Sequence, residues 1–219
     1  MTNLRSVINP NNILLILLVL MLFFVPFLPI QKHFNAYNSL FSFILRASSF
    51  SLQSGSRKII FSAAVVLVIL EWIAIQVNLS MLNIISRILE GLFFTFIVFG
   101  LIQQTATARK VTERVIVDSI SGYLLLGVVF GIIAFVVFRL QPDAFHFPEG
   151  SMDPVQPKEK MSDLIYFTFV TYTTTGFGDI LPVTPGVKSL ATLISVTGQL
   201  YIAIIIALLV GKFASGVRG

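Results

Sequence analysis

Long apolar runs, nearly free of charge, recur along this chain and set its plan. Asn12 to Ile30 is Leu-rich and uncharged, with Pro26 and Pro29 near its far end. Ile59 to Val77 is interrupted only by Glu71, and Leu82 to Ile102 by Arg87 and Glu90. Ser119 to Phe138 carries no charge, and Val187 to Val210 carries only Lys188 at its start. Runs of about 18 or more apolar residues cross a hydrocarbon core of roughly 30 Å as helices, so the pattern predicts an all-α integral membrane protein. A weaker segment, Asn35 to Gln53, is rich in Phe and Ser and contains Arg46; it reads as a short span or an interfacial helix. The count is five or six spans.

Composition agrees: 56% of the 219 residues are hydrophobic and only 11% charged, a balance unsuited to a water-soluble domain. The net charge of +5 comes from basic residues at the ends of apolar runs. That placement speaks for membrane orientation and against nucleic-acid binding. Arg57 with Lys58, then Arg109, Lys110 and Arg114, then Lys212 and Arg218 form clusters separated by even numbers of crossings, so all can share the cytoplasmic side. The opposite side receives the Arg139 to Lys160 connection, with Asp143, Glu149, Asp153 and Glu159. Six spans put the N-terminus and Arg5 inside and five put them outside. The rule favours six, although Arg46 at membrane depth must then snorkel or pair with Glu71 or Glu90.

One segment is not generic. From Ser162 to Asp179 the chain reads S-D-L-I-Y-F-T-F-V-T-Y-T-T-T-G-F-G-D. Ser162 is a good N-cap and Asp163 suits a positive helix end, which predicts a helix of about three turns up to Thr173. That is too short to span. A short helix and a Gly-x-Gly between two full spans describe a re-entrant loop, whose non-helical backbone is tolerated at membrane depth only where it lines a water-filled path. A potassium ion leaves water only if rings of oxygens replace its hydration shell, and four copies of an extended strand can supply such rings from backbone carbonyls. Gly176 and Gly178 allow the backbone angles this requires. Thr174 can add its hydroxyl at the inner end. Phe177 would point outward, against Tyr166 and Phe167, to hold the ring diameter.

The segment resembles the potassium-channel signature, T-x-x-T-x-G-Y-G-D or its Phe variant, of the two-transmembrane pore module of that superfamily. Thr171, Thr174, Gly176, Phe177, Gly178 and Asp179 occupy the signature positions, and the resemblance covers roughly Ser119 to Gly211. It implies a tetrameric pore-loop channel. Thr174, Thr175, Gly176, Phe177 and Gly178 would bind K+, while Thr171, Tyr166, Phe167 and Asp179 would support the filter. Gly198, twenty residues after Gly178, stands at the family's inner-helix hinge, where it either bends or permits close packing. Phe177 replaces the commoner Tyr, so no hydroxyl ties the filter to the pore helix, and Thr175 replaces a usual Val or Ile. Val170 stands where some members have a Glu partner for the Asp after the filter, so Asp179 needs another partner or faces water.

The expected division is an N-terminal transmembrane region of three or four spans (1–105), an amphipathic interfacial linker helix (106–118) and a pore module (119–219). Within the module the outer helix is placed at 119–138, the extracellular turret at 139–161 and the pore helix at 162–173. The filter follows at 174–178 and the inner helix at 187–211, with Thr197 and Tyr201 lining the cavity. Glu71, Arg87 and Glu90 read as intramembrane ion-pair partners holding the first half together. A voltage sensor needs arginines at every third position of one span, and the span before the pore module has only Arg87.

No cysteine excludes disulfides and thiolate metal sites, and His33 and His146 lie far apart in expected loops. No carboxylate pair or nucleophile triad suggests an enzyme. No cofactor is expected beyond K+ ions in the filter, and no nucleic acid or small-molecule substrate; the expected partners are three further copies in a homotetramer and membrane lipids. The economy of the chain suggests a bacterial plasma membrane. Competing readings are a weakly selective cation channel and a non-conducting membrane subunit retaining the fold.

Overall fold

A computed structural model describes residues 10–52, 55, 57–77, 79–148 and 160–216. Arg5, Gln53, Glu149, Asp153, Glu159 and Arg218, which entered the reading of topology, lie outside the described residues. Seven helices follow in order: α1 (Pro10–Val19), α2 (Ile30–Ser51), α3 (Arg57–Val77), α4 (Ser80–Thr107), α5 (Glu113–Leu140), α6 (Met161–Tyr172) and α7 (Pro185–Gly216). Two short strands, β1 (Phe145–His146) and β2 (Leu181–Pro182), pair antiparallel. Among the described residues, five helical stretches are long and apolar enough to cross a membrane: Pro10–Phe27, α3, α4, α5 and α7 as far as Ala214.

The described part of the first span begins at Pro10. It loosens into a wider turn over Leu20–Phe24 and closes as a tight turn at Val25–Phe27. Leu28, immediately before Pro29, is extended, as the residue before a proline must tend to be.

The weak segment resolves into α2, a full 22-residue helix. At 1.5 Å per residue it is about 33 Å long, enough for a crossing. Near one end the Tyr37 hydroxyl lies 3.4 Å from that of Ser162, at the start of α6; at the other the Ser51 carbonyl accepts from Arg114, at the start of α5, at 3.1 Å. The helix therefore runs alongside the C-terminal module between the start of α6 and the start of α5, although it is not among the stretches apolar enough to cross a membrane. His33, Asn38, Ser42, Ser48, Ser49 and Ser51 are buried, and the serine hydroxyls find partners within the helix: Ser48 and Ser49 both donate to the Leu45 carbonyl, at 3.0 and 2.9 Å. Arg46 is exposed and five residues from the end of α2, within snorkelling reach of the bundle end. His33 lies within α2 instead of a loop, its Nε2 2.8 Å from the Leu28 carbonyl oxygen.

The expected linker helix does not form. α4 continues to Thr107, and after five residues α5 begins at Glu113. The reason is local: Thr112 adopts an extended conformation and its hydroxyl accepts from the Val115 amide at 3.4 Å, so it caps a new helix instead of continuing one. The outer helix is consequently longer than 119–138. At the same end of the bundle Lys212 donates to the Ala106 carbonyl at 2.9 Å and also to that of Thr105, capping the end of α4. Arg114 pairs with Asp118 at 3.7 Å, and Asn11 donates to Asp118. The basic clusters of α3, α5 and α7 thus gather on one side, and α1, α2 and α4 are each tied there to the C-terminal module.

α5 is the packing centre. Gly127 and Gly131, one turn apart, face α6: a side chain at the first would collide with the Phe169 ring and one at the second would crowd Ile165. The short helix can therefore lie close against the long one.

Candidate functional site

α6 is 12 residues long, about 18 Å, and cannot cross the bundle. Its first turn differs from expectation: Lys160, not Ser162, occupies the cap position. Lys160 is nearly buried, pairs with Asp163 at 3.1 Å and lies over the Phe147 ring at 4.7 Å. Ser162 sits inside the first turn and turns its hydroxyl toward Tyr37. The other end of α6 is held by rings. Tyr172 is wholly buried, with Tyr123 of α5 at 4.7 Å and Phe130 at 6.1 Å between centroids.

After Tyr172 the chain leaves the helix and turns back on it. The Thr174 amide donates to the Thr171 carbonyl at 3.0 Å, and the Thr175 and Gly176 amides both donate to the Val170 carbonyl, at 2.9 and 3.2 Å. These bonds satisfy carbonyls that a helix end otherwise leaves unpaired. Thr171 acts through its backbone in this way. Among the described residues, no carbonyl from Thr174 to Gly178 accepts a backbone hydrogen bond. The ribbon is pinned by its N–H groups and leaves its oxygens free.

Three residues in this ribbon have positive φ: Thr174 at 59°, Gly176 at 60° and Gly178 at 76°. In an ordinary strand successive carbonyls point to opposite sides. Inverting φ at every second residue turns alternate peptides over, so that consecutive carbonyls can share one side. Glycine adopts this conformation freely. Threonine does not, and a β-branched residue held there is strained by about 1–3 kcal/mol, a cost that persists where surroundings over-determine the backbone.

Residues 174–179 are all exposed in the isolated chain. Phe177, 69% exposed, forms no ring pair with Tyr166 or Phe167 of its own chain. Phe167 is already committed to Phe145, edge to face at 5.4 Å, which ties α6 to β1. Tyr166 lies near enough to Asp179 for the two side chains to interact. Beyond the ribbon, the Val183 amide donates to the Ala144 carbonyl at 2.9 Å, so the exit from the loop is fixed to the turn before β1.

On α7, Gly198 fits where nothing larger can: a Cβ there would overlap the backbone oxygen of Tyr172. This contact is a packing requirement at the end of α6. Gly198→Ala is expected to destabilise by about 1–3 kcal/mol per chain through overpacking, read as a lower unfolding temperature in detergent. Gly211→Ala, where the added methyl meets nothing, should not lower it. Tyr201 is buried in the single chain, and its hydroxyl donates to the Ser119 carbonyl at 2.9 Å. Thr197 is half-buried. The sequence reading missed Gln199, whose Nε2 donates to the Thr174 hydroxyl at 3.4 Å. A lone glutamine in an apolar run was the available signal.

In the N-terminal half Glu71, Arg87 and Glu90 do meet. Arg87 lies 3.2 Å from Glu71 and 2.7 Å from Glu90, its guanidinium also contacts the Asn38 amide oxygen, and Ser42 donates to Glu71 at 3.1 Å. The Phe41 ring lies 5.1 Å from the guanidinium carbon. Three helices are cross-linked at one buried point.

A short helix set between two spanning helices, ending in a glycine-bracketed ribbon of free carbonyls, is the arrangement expected of a re-entrant loop. Residues 120–215 match the family described as "Ion channel". Similar proteins include potassium voltage-gated channel subfamily A member 10 of mouse and of human. Each is 33% identical over 92 residues, which is 42% of this chain and 17% of the relative. The chain thus matches only a small part of the curated relatives' length. No solved structure matches. The C-terminal part of this chain is thus similar to ion-channel pore regions, and further apolar helices precede it.

Proposed function

We propose that the chain is one subunit of a homotetrameric, potassium-selective channel that conducts K+ passively down its electrochemical gradient. The observation that carries this reading is the ribbon 174–178, with inverted φ at alternate residues, its amides held by α6 and its carbonyls unpaired. One such ribbon cannot encircle an ion, and four around an axis can. The exposure of Phe177 in the single chain fits a residue that a neighbouring copy covers. The similar regions in two potassium channels favour K+ as the permeant ion. The four α6 C-termini would aim partial negative charge at the central cavity, favouring a cation there. K+ ions in the filter are the only bound species proposed, the membrane is taken to be a bacterial plasma membrane, and no covalent chemistry is involved.

Purified protein in liposomes is expected to run as a tetramer on cross-linking and to pass K+ in a barium-sensitive manner. In mixed Na+ and K+ the reversal potential should follow the K+ gradient. A reversal potential indifferent to which cation is replaced would leave a channel without the proposed selectivity, and a monomer would remove the filter altogether.

A further inference from the structure

Gln199 belongs to neither the ribbon nor the signature, yet it is the residue of α7 that reaches Thr174. Two observations explain how it gets there. Gly198, its neighbour, lets the α7 backbone approach the Tyr172 carbonyl, and Tyr172 is the last residue of α6, two before the ribbon begins. Among the described residues Thr174 is the one non-glycine with positive φ, and its hydroxyl is the side-chain oxygen at the inner end of the ribbon. A freely rotating hydroxyl would offer its proton or its lone pair to an arriving cation indifferently. A donor fixed on one side removes that freedom: once the Gln199 amide donates to the oxygen, one lone pair is used and the remaining one is available. Gln199 is exposed in the single chain, so the amide stands at the surface that the ribbon also presents.

We infer that Gln199 is a positioning residue for the innermost cation site, fixing the Thr174 hydroxyl so that its oxygen faces the ion. This rests on the channel reading above and adds to it a specificity-determining side chain on the inner helix. Four such amides would act together at one ion. A neutral hydrogen bond is modest alone, but four of them lost around one site weaken cation binding by at least about tenfold.

The test is barium binding to the purified tetramer by titration calorimetry, with wild type, Gln199→Met, Thr174→Ala and the double variant. The expected result is a barium affinity at least about tenfold weaker in Gln199→Met, with no further loss when that change is added to Thr174→Ala. A merely structural glutamine would not show such coupling. Gln199→Asn, polar but one methylene too short, guards against misfolding of the Met variant and should lose affinity likewise. Unchanged affinity in both variants, or losses that add fully in the double variant, would overturn the assignment while leaving the channel reading intact. A wild-type tetramer that binds no barium would overturn both.

Discussion

Replacing Gly178 by alanine is expected to abolish K+ flux from liposomes, and Gly176→Ala to do the same, while the tetramer survives cross-linking. Neither glycine has a neighbour that a methyl group would strike, so the effect is conformational and not steric crowding. At φ of 76° and 60° an L-residue pays about 1–2 kcal/mol, and four chains would have to bear this at one ring of oxygens, about 4–8 kcal/mol in all. The cheaper outcome is for the peptide to turn over and withdraw its carbonyl. A single ring lost is a gap that a dehydrated ion cannot cross, so flux should fall to background in both variants. Flux at wild-type rates in either would mean that these carbonyls do not replace water around the ion.

The ribbon was legible because its chemistry is written in residue types: two glycines at alternate positions admit positive φ, and a short helix before them cannot span. Thr174 was expected on its hydroxyl alone, and its place as third member of the alternation was not, since threonine gives no hint of positive φ. The spans with continuous apolar character were legible to within about two turns at either end. α2 was not, because a hydropathy pattern counts Asn38, Ser42, Ser48, Ser49 and Ser51 as polar without knowing where their bonds go. All five are buried: the serines bond the preceding turn of their own helix, while Asn38 and Ser42 also serve the Glu71 and Arg87 cluster. The linker helix failed for the opposite reason. Its amphipathic pattern was real, but Thr112 broke it locally by capping α5. Tyr201 and Gln199 show the same limit one residue at a time. An aromatic was expected in the cavity and a glutamine was passed over, and only the rotation of α7, set by Gly198 against Tyr172, decides which one reaches the filter.

Arg87 is the position in the N-terminal half where a single change should cost most. It is buried between two carboxylates, and truncation to methionine leaves both Glu71 and Glu90 inside the bundle without a cation. Removing one partner of a buried ion pair typically costs 3–5 kcal/mol, and the penalty is sustained where lipid replaces water around the helices. Against the roughly 5–15 kcal/mol that holds a folded protein together, Arg87→Met should sharply lower the unfolding temperature in detergent or leave the chain unfolded. Replacing all three together, Glu71→Leu, Arg87→Met and Glu90→Leu, removes the desolvation cost along with the attraction. It should recover most of that loss, because apolar substitutes of similar volume for a buried ion network are often neutral or stabilising. The comparison separates two roles for the cluster. A triple variant as stable as wild type and still conducting would make the network a device for fixing how α2, α3 and α4 register against one another. A triple variant as unstable as Arg87→Met alone would mean that the polar contacts of Asn38 and Ser42, deprived of their partners, carry the larger share of the energy.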